Sequence, residues 1–133
     1  METRSILMPN FKKRRGLVTV VVQDKNTKEI LMVAFTNRAG FLETLASGEA
    51  VFYSTSRKKR WKKGETSGNI QKVRRILLDC DGDALVYEVI QEGEGACHTG
   101  KRTCFYRSVI GSVLLMNKGK KIKILPVHPN IAN

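Results

Sequence analysis

The segments LVTVVV (residues 17–22) and ILMVAF (residues 30–35) decide the fold. Their β-branched, nearly continuous apolar composition favours strands, and residues 17–22 are typical of a strand buried on both faces. Between the segments, Asp24, Lys25 and Asn26 form a turn signal. The two segments therefore predict a β-hairpin.

One helix is predicted after this hairpin. Thr36 or Asn37 could cap its start, it would run to about Ala46, and Gly48 stands just past its end. Its predicted buried stripe consists of Phe41, Leu42 and Leu45.

Short strand patterns continue along the chain. Residues 57–69 (RKKRWKKGETSGN) lack apolar periodicity and predict a long polar loop. Further strands are predicted at residues 50–55, 72–78, 84–90 and 104–109, with strand-like patterns at 113–116 and 121–125 and a turn at 117–119. The pattern as a whole predicts a β-rich α+β domain with a single helix.

Length and composition predict one globular domain over residues 1–133, with 41% hydrophobic and 27% charged residues. The 24 basic residues exceed the 12 acidic ones and give a net charge of +12, which favours polyanionic partners. Because no apolar run approaches the ~20 residues that span a bilayer, we expect a cytoplasmic protein. Residues 1–15 predict a mobile basic arm, and residues 111–133 form a C-terminal tail without an assignable motif.

All three cysteines, Cys80, Cys97 and Cys104, fall within a 25-residue window. An odd number fits a disulfide framework poorly, so in a reducing cytosol the cluster predicts metal ligation. Their spacing lacks the tight knuckles of zinc fingers, and three thiolates suffice for a catalytic zinc site with an open fourth position. The alternative is that the cysteines are small buried hydrophobes.

His98 lies next to Cys97, and its role is open. It could complete a structural Cys3His site, or stay off the metal and transfer protons, since histidine is the side chain that most often serves as a general acid or base. Adjacent side chains on an extended backbone diverge, which favours proton transfer. An exposed histidine without a role is the remaining alternative.

Asp79, Asp81 and Asp83 account for three of the four aspartates in the chain. Such closely spaced carboxylates repel one another unless a cation neutralises them, and oxygen ligands suit magnesium. The alternative is an exposed hairpin turn at Asp81 and Gly82. On a regular strand Cys80 would point away from the carboxylates and could join the other cysteines only through a bend or from a neighbouring subunit. This alternation predicts a metal site shared across a homodimer interface.

The polar loop at residues 57–69 combines six basic residues with Trp61. These parts could bind single-stranded nucleic acid or one nucleotide, and residues 64–69 could form a phosphate nest. The alternative is a solvated surface loop.

Three motifs in order, WxKGETSGN (61–69), LDCDGDAL (78–85) and ACHTGxRxCFYR (96–107), resemble the phosphoribosyl-AMP cyclohydrolase family of histidine biosynthesis, in its monofunctional form. The resemblance covers roughly residues 16–110. It implies hydrolysis of the N1–C6 bond of 1-(5-phosphoribosyl)-AMP by zinc-activated water, with magnesium assisting substrate binding. It also implies a barrel-like antiparallel sheet with a capping helix, in an intertwined homodimer.

The resemblance also implies roles for individual residues. Zinc would be bound by Cys80, Cys97 and Cys104, and magnesium by Asp79, Asp81 and Asp83. His98 is the predicted catalytic residue, moving the proton during attack or collapse. The predicted substrate contacts are Trp61, Lys63, Glu65, Thr66, Ser67, Asn69 and Arg102. The partners implied are the phosphorylated nucleotide and a second subunit that shares the zinc site.

Two segments depart from the family pattern. Residues 10–15 (NFKKRR) are more basic than expected, and residues 36–40 replace a more acidic helix start. The pyrophosphohydrolase activity that many relatives carry in a fused domain is expected from a separate protein.

Three other functions compete with this prediction. A zinc-stabilised RNA-binding module leaves the aspartates unexplained, since they would repel phosphate. A structural zinc protein needs a fourth protein ligand. A base deaminase would carry an H-x-E…P-C-x-x-C signature, which is missing here.

Overall fold

The computed structural model describes residues 5–111 and 121–127. In chain order the elements are β1 (Val18–Asp24), β2 (Ile30–Thr36), α1 (Arg38–Ser47), β3 (Val51–Ser54), β4 (Lys59–Lys62), β5 (Gln71–Leu78) and β6 (Ala84–Gln91). This composition confirms the β-rich α+β prediction. Among the described residues no helix is long and apolar enough to cross a membrane.

All six strands form one sheet in the order β4-β3-β2-β1-β6-β5. The predicted hairpin is β1 and β2, paired antiparallel. β1 pairs with β6 in parallel, so the prediction of an antiparallel sheet is wrong at this one pair. β1 also alternates between buried and half-buried residues and is not buried on both faces, because only one face of the sheet is covered by the core.

The sheet curls so that the start of its edge strand β5 reaches the segment between α1 and β3. The Ala50 N–H donates to the Gln71 carbonyl over 2.9 Å, and the Val73 N–H donates to the Gly48 carbonyl over 2.8 Å. These bonds join the start of β5 to the segment before β3 and make a half-barrel. Its interior is filled by fully buried side chains, among them Val20, Val22, Leu31, Phe52, Leu85, Tyr87 and Val89.

α1 begins and ends at its predicted caps. The Asn37 side chain accepts a 2.9 Å hydrogen bond from the Gly40 N–H, and Gly48 closes the helix in the left-handed region at φ 75°. The predicted buried stripe is correct only at Phe41, because Leu42 and Leu45 are exposed.

Thr44 explains how the helix is oriented. Its hydroxyl accepts from the Val51 N–H over 3.0 Å and donates to the Gly40 carbonyl over 2.9 Å. The buried face therefore consists of Gly40, Phe41 and Thr44. A Cβ on Gly40 would lie 2.5 Å from the Thr36 hydroxyl, so this face lies close to the end of β2.

The sequence predictions for three described segments, 59–62, 104–109 and 121–125, are wrong. Residues 59–62, predicted as loop, form β4, because the Trp61 ring packs 5.0 Å from the ring of Phe52 on β3. Residues 104–109 and 121–125, predicted as strands, form no strand, and their apolar side chains are exposed. The predicted strand at 113–116 and turn at 117–119 lie outside the described residues.

The basic N-terminal segment is docked on the domain. Phe11 packs against Phe41 with ring centroids 6.0 Å apart, and the Asn10 N–H donates to the Gly82 carbonyl over 2.8 Å. The prediction of a mobile arm is therefore wrong for residues 10–14. The sequence carries no periodicity there because the covered apolar side chains are isolated ones, the buried Pro9 and the half-buried Phe11.

The docked segment yields a stability prediction. We expect Phe11→Ala to lower the free energy of unfolding by about 1–2 kcal/mol, because a half-buried aromatic contact is lost. Urea denaturation of the variant beside Lys12→Ala, which changes an exposed neighbour, measures the effect. Equal unfolding free energies for the two variants would contradict the docking of this segment.

Candidate functional site

A cleft of 410 Å³ gathers several of the predicted site residues beside β4 and the loop after β6. It is lined by Met32, Val33, Arg57, Trp61, Lys63, Ala96, His98, Cys104 and Phe105. Four of these were predicted as catalytic, metal-binding or substrate-binding residues. His98 is exposed at the cleft, so its imidazole is accessible to a bound molecule.

Cys104 lines this cleft, and the Cys97 thiol lies beside it, so the two form a pair of thiols. The Thr99 hydroxyl donates to Cys97 Sγ over 3.0 Å and holds the pKa of the Cys97 thiol below its usual range. Burial, followed by the nearby Cys97 thiol, raises the pKa of the Cys104 thiol to about 11. Two soft donors side by side on one loop are a partial ligand set for zinc.

Lys63 places a cation beside these thiols. It is only 8% exposed, and burial lowers the pKa of its ammonium group while the two cysteines oppose that shift. Its backbone N–H donates to the Ala50 carbonyl over 3.1 Å, which fixes the residue where the chain leaves β4. The ammonium group therefore offers positive charge inside the cleft, to thiolates or to an anionic ligand.

Asn69 joins the turn after β4 to the loop that carries the cysteines. Its side-chain oxygen accepts a 3.0 Å hydrogen bond from the Glu94 N–H. Gly93 has φ +74°, and a Cβ there would lie only 1.9 Å from that oxygen. The side chain predicted to contact substrate thus has a partner within the fold.

Arg102 also has partners within the fold. Its guanidinium donates to Asp24 over 2.6 Å and to Glu29 over 2.7 Å, bridging the cysteine loop to the turn between β1 and β2. The remaining predicted substrate contacts, Glu65, Thr66 and Ser67, lie exposed on the turn at residues 63–67 and do not line the cleft.

The three aspartates of the β5–β6 turn form a compact acidic cluster. Carboxylate oxygens of Asp79, Asp81 and Asp83 lie within 4.8 Å of one another. The Asp79 carboxylate also accepts a hydrogen bond from the Asp83 N–H over 3.0 Å, as in a tight turn. The predicted acidic cluster and the turn predicted as its alternative are therefore the same loop. A hard cation would find three oxygen ligands here.

Basic residues of the N-terminal segment neutralise part of this cluster. Lys13 donates to Asp81 over 2.7 Å, and Arg14 donates to Asp83 over 2.8 Å. The Arg14 hydrogen bond is the main cause that holds the pKa of the Asp83 carboxyl far below its usual range. The unusually basic segment thus has a structural role at the acidic loop.

Cys80 does not join the thiol pair within one chain. Across the described residues, the three aspartates are the only group of three or more potential ligands among His, Cys, Asp and Glu side chains. β1 separates the acidic loop next to Cys80 from the loop that carries Cys97 and Cys104. At one end of β1 the Thr19 N–H donates to the Asp83 carbonyl, and at the other end Asp24 accepts from Arg102. The seven residues of β1 span roughly 20 Å at ~3.3 Å each.

Part of the cleft wall is not predicted from the sequence. Met32 and Val33 fall in a predicted strand and Phe105 in the motif at 96–107, but none of the three is among the predicted site residues. Arg57 belonged to the basic run but was not selected as a site residue. Proximity to Cys104 could have indicated Phe105, whereas the β2 residues reach the cleft only through the curl of the sheet.

Comparison with known proteins gives consistent matches. The family model described as phosphoribosyl-AMP cyclohydrolase matches residues 32–106. A phosphoribosyl-AMP cyclohydrolase of Methanoregula boonei is 55% identical over 107 residues, covering 80% of this chain and 83% of the relative. One from Methanothermobacter thermautotrophicus is 56% identical over 98 residues, covering 74% and 70%. The histidine biosynthesis bifunctional protein HisIE of Thermus thermophilus is 54% identical over 96 residues, covering 72% and 44%.

Gly93 provides a test of the cysteine-loop geometry. We expect Gly93→Ala to destabilise more than Gly68→Ala, although both positions have similar positive φ angles, +74° and +81°. Alanine in this region costs roughly 1–2 kcal/mol at either site. Only at Gly93 would the methyl group also displace the Asn69 amide and break its bond to Glu94, adding about 1 kcal/mol.

Chemical denaturation of both variants measures this difference. A Gly93→Ala protein as stable as Gly68→Ala would contradict the close approach of Asn69 to this turn.

Proposed function

The chain belongs to the phosphoribosyl-AMP cyclohydrolase family, and from this premise we propose that it opens the adenine ring of 1-(5-phosphoribosyl)-AMP at the N1–C6 bond. It is an enzyme of histidine biosynthesis, a hydrolase of a cyclic amidine C–N bond. The observation that carries the proposal is the cleft in which Trp61, Lys63 and His98 lie beside a thiol pair.

The reaction needs activated water and a route for one proton. Substitution at N1 makes the ring amidinium-like and C6 electrophilic. Water adds to C6 and one of its protons completes the exocyclic NH2 group. The C6–N1 bond then breaks as the second proton passes to N1, leaving a carboxamide at C6. The protein must therefore orient the ring, activate water and move that proton.

We assign zinc to the thiol pair together with Cys80 of a second copy. Cys97 and Cys104 fit the ion because they are adjacent soft donors, and three thiolates would leave one position open. When bound, zinc supplies a Lewis acid that activates water at neutral pH. Lys63 would balance the negative charge of the thiolates or bind the anionic substrate.

The second copy is supported by two features of this chain. Cys80 lies at the opposite end of β1 from the thiol pair, so a single chain offers an incomplete zinc site. The exposed large apolar residues on β2 and after the cysteine loop are Ile30, Val33, Phe35, Phe105, Tyr106, Val109 and Ile110. An apolar surface of this kind is typical of an interface that a partner covers.

We assign magnesium to Asp79, Asp81 and Asp83, whose clustered oxygens fit a hard cation. When bound, magnesium would orient a substrate phosphate. Lys13 and Arg14 form ion pairs with the carboxylates of Asp81 and Asp83, so their side chains would have to move aside for the ion.

The side chains of the cleft have distinct proposed roles. The Trp61 ring, already packed against Phe52, offers a flat surface for the adenine ring. His98 is exposed next to Cys97 and is free to exchange protons with a bound molecule. It would take the proton from water during attack and return it to N1 as the C6–N1 bond breaks.

A spectrophotometric assay of ring opening tests the function and both metals. We expect chelator-treated protein to be inactive, each metal alone to restore little activity, and zinc with magnesium to restore turnover. Activity that needs neither metal would contradict the metal assignments. Absence of turnover by a folded protein loaded with both metals would contradict the enzymatic proposal.

Mixed dimers test the shared zinc site. Cys80→Ser and Cys104→Ser chains are each expected to be inactive alone. Refolded together in equal amounts, half of the dimers would pair the two variants and hold one complete site, giving about a quarter of wild-type activity. Co-refolding Cys97→Ser with Cys104→Ser is the matched control, because no pairing of those chains restores a site. Recovery no greater than the control would contradict sharing.

His98→Ala tests proton transfer separately from zinc binding. We expect kcat to fall about 10²–10⁴-fold while bound zinc per chain is unchanged. Loss of zinc from the variant would identify His98 as a ligand, and near-normal turnover with zinc bound would contradict a catalytic role.

A further inference from the structure

The loop that carries Cys97 and Cys104 depends on the β1–β2 hairpin for its position. No strand or helix runs through residues 95–104. Within the loop, the Ala96 N–H donates to the Arg102 carbonyl over 3.0 Å and the Cys97 N–H to the Lys101 carbonyl over 3.2 Å. These two bonds join the half of the loop that carries Cys97 to the half that leads to Cys104, so a shift of one half would move the other.

Three contacts attach this loop to the hairpin. The Thr103 hydroxyl donates to the Ile30 carbonyl over 2.7 Å, and the Cys104 N–H donates to the Leu31 carbonyl over 2.8 Å. The third contact is the Arg102 guanidinium between Asp24 and Glu29. It is the one contact made by charged side chains, and it lies between the two cysteines in sequence.

Asp24 is itself held rigidly. It is only 6% exposed, and one of its carboxylate oxygens accepts hydrogen bonds from the N–H groups of Asn26 and Thr27 at 2.8 and 2.9 Å. The other oxygen accepts from Arg102. These donors hold the pKa of the Asp24 carboxyl below its usual range, the Thr27 N–H being the main cause.

We propose that Asp24, with Glu29, is a positioning residue for the metal-binding thiols: it fixes Arg102 and through it the relative placement of Cys97 and Cys104. This inference rests on the zinc assignment made above. It gives Arg102 a positioning role in place of the substrate contact expected from the sequence, since the guanidinium is already directed at two carboxylates.

Asp24→Asn separates positioning from the fold of the turn. Asparagine keeps an oxygen that can accept from Asn26 and Thr27, so the turn retains its acceptor. It loses the charge and presents an amide donor towards Arg102, which has no acceptor to offer. The variant therefore weakens the attachment of the cysteine loop with little effect on the hairpin itself.

Glu88→Gln is the matched control. Glu88 is 4% exposed and binds two cations, Arg75 at 2.6 Å and Lys28 at 2.9 Å, but it does not contact the cysteine loop. Lys28 belongs to the same β1–β2 turn, so this control tests whether loosening that turn in general is enough to disturb the thiols.

The experiment measures zinc affinity of the full-length protein by competition with a chromogenic chelator, together with thermal unfolding of the metal-free protein. We expect Asp24→Asn to weaken zinc binding about 10- to 100-fold at unchanged stoichiometry, the usual effect of losing a residue that orients a ligand. Glu88→Gln should lower thermal stability while leaving zinc affinity within about twofold of wild type. Cobalt(II) loading should show a weakened thiolate-to-metal absorption only in Asp24→Asn.

Further variants separate the possible failures. If Asp24→Asn does not fold, Arg102→Lys replaces it, because lysine keeps the charge but cannot bridge both carboxylates, and the same loss of affinity is expected. Wild-type zinc affinity in the folded variant overturns the positioning role alone. Zinc binding that survives Cys104→Ser unchanged overturns the zinc assignment, and the positioning role with it.

Discussion

The central position of β1 is the constraint on which the rest of the structure depends. It is bonded to β2 on one side and to β6 on the other, and Val18, Val20 and Val22 point into the core with almost no exposed surface. Each end of this strand is bonded to a different loop of the candidate site. One end contacts the acidic loop through Thr19, and the other contacts the cysteine loop through Asp24. The rigid strand therefore fixes the separation between the two.

The features predicted correctly from the sequence are those decided by local chemistry. The caps of α1 were predictable because Asn37 and Gly48 act within one helical turn of themselves. The β1–β2 hairpin was predictable from two apolar runs around an Asp-Lys-Asn turn. The errors arise where a distant partner decides the outcome. β4 exists because Trp61 packs on Phe52, and the N-terminal segment is ordered because Phe11 packs on Phe41.

The candidate site was predictable to a similar extent and for the same reason. Trp61, Lys63, His98 and Cys104 were selected by residue type and spacing, and the fold brings them to one cleft. Asn69 and Arg102 belong to the same motifs, yet their side chains are bonded to other parts of the chain. A motif identifies side chains that belong to a site, but it does not show whether a given side chain contacts the ligand or supports the loop around it. Only the hydrogen-bond partners make that distinction.

The ion pairs over the acidic loop have a consequence for how the proposed magnesium ion would exchange. Three carboxylates left bare by a departing cation would repel one another and strain the turn. Here Lys13 and Arg14 lie on a segment anchored by Phe11, so replacement charges lie within reach of the carboxylates. The loop could pass between an inorganic and an internal counter-ion by side-chain rotation alone, with its backbone unchanged. Demetallation at this loop would then be a local exchange of partners and would require no unfolding.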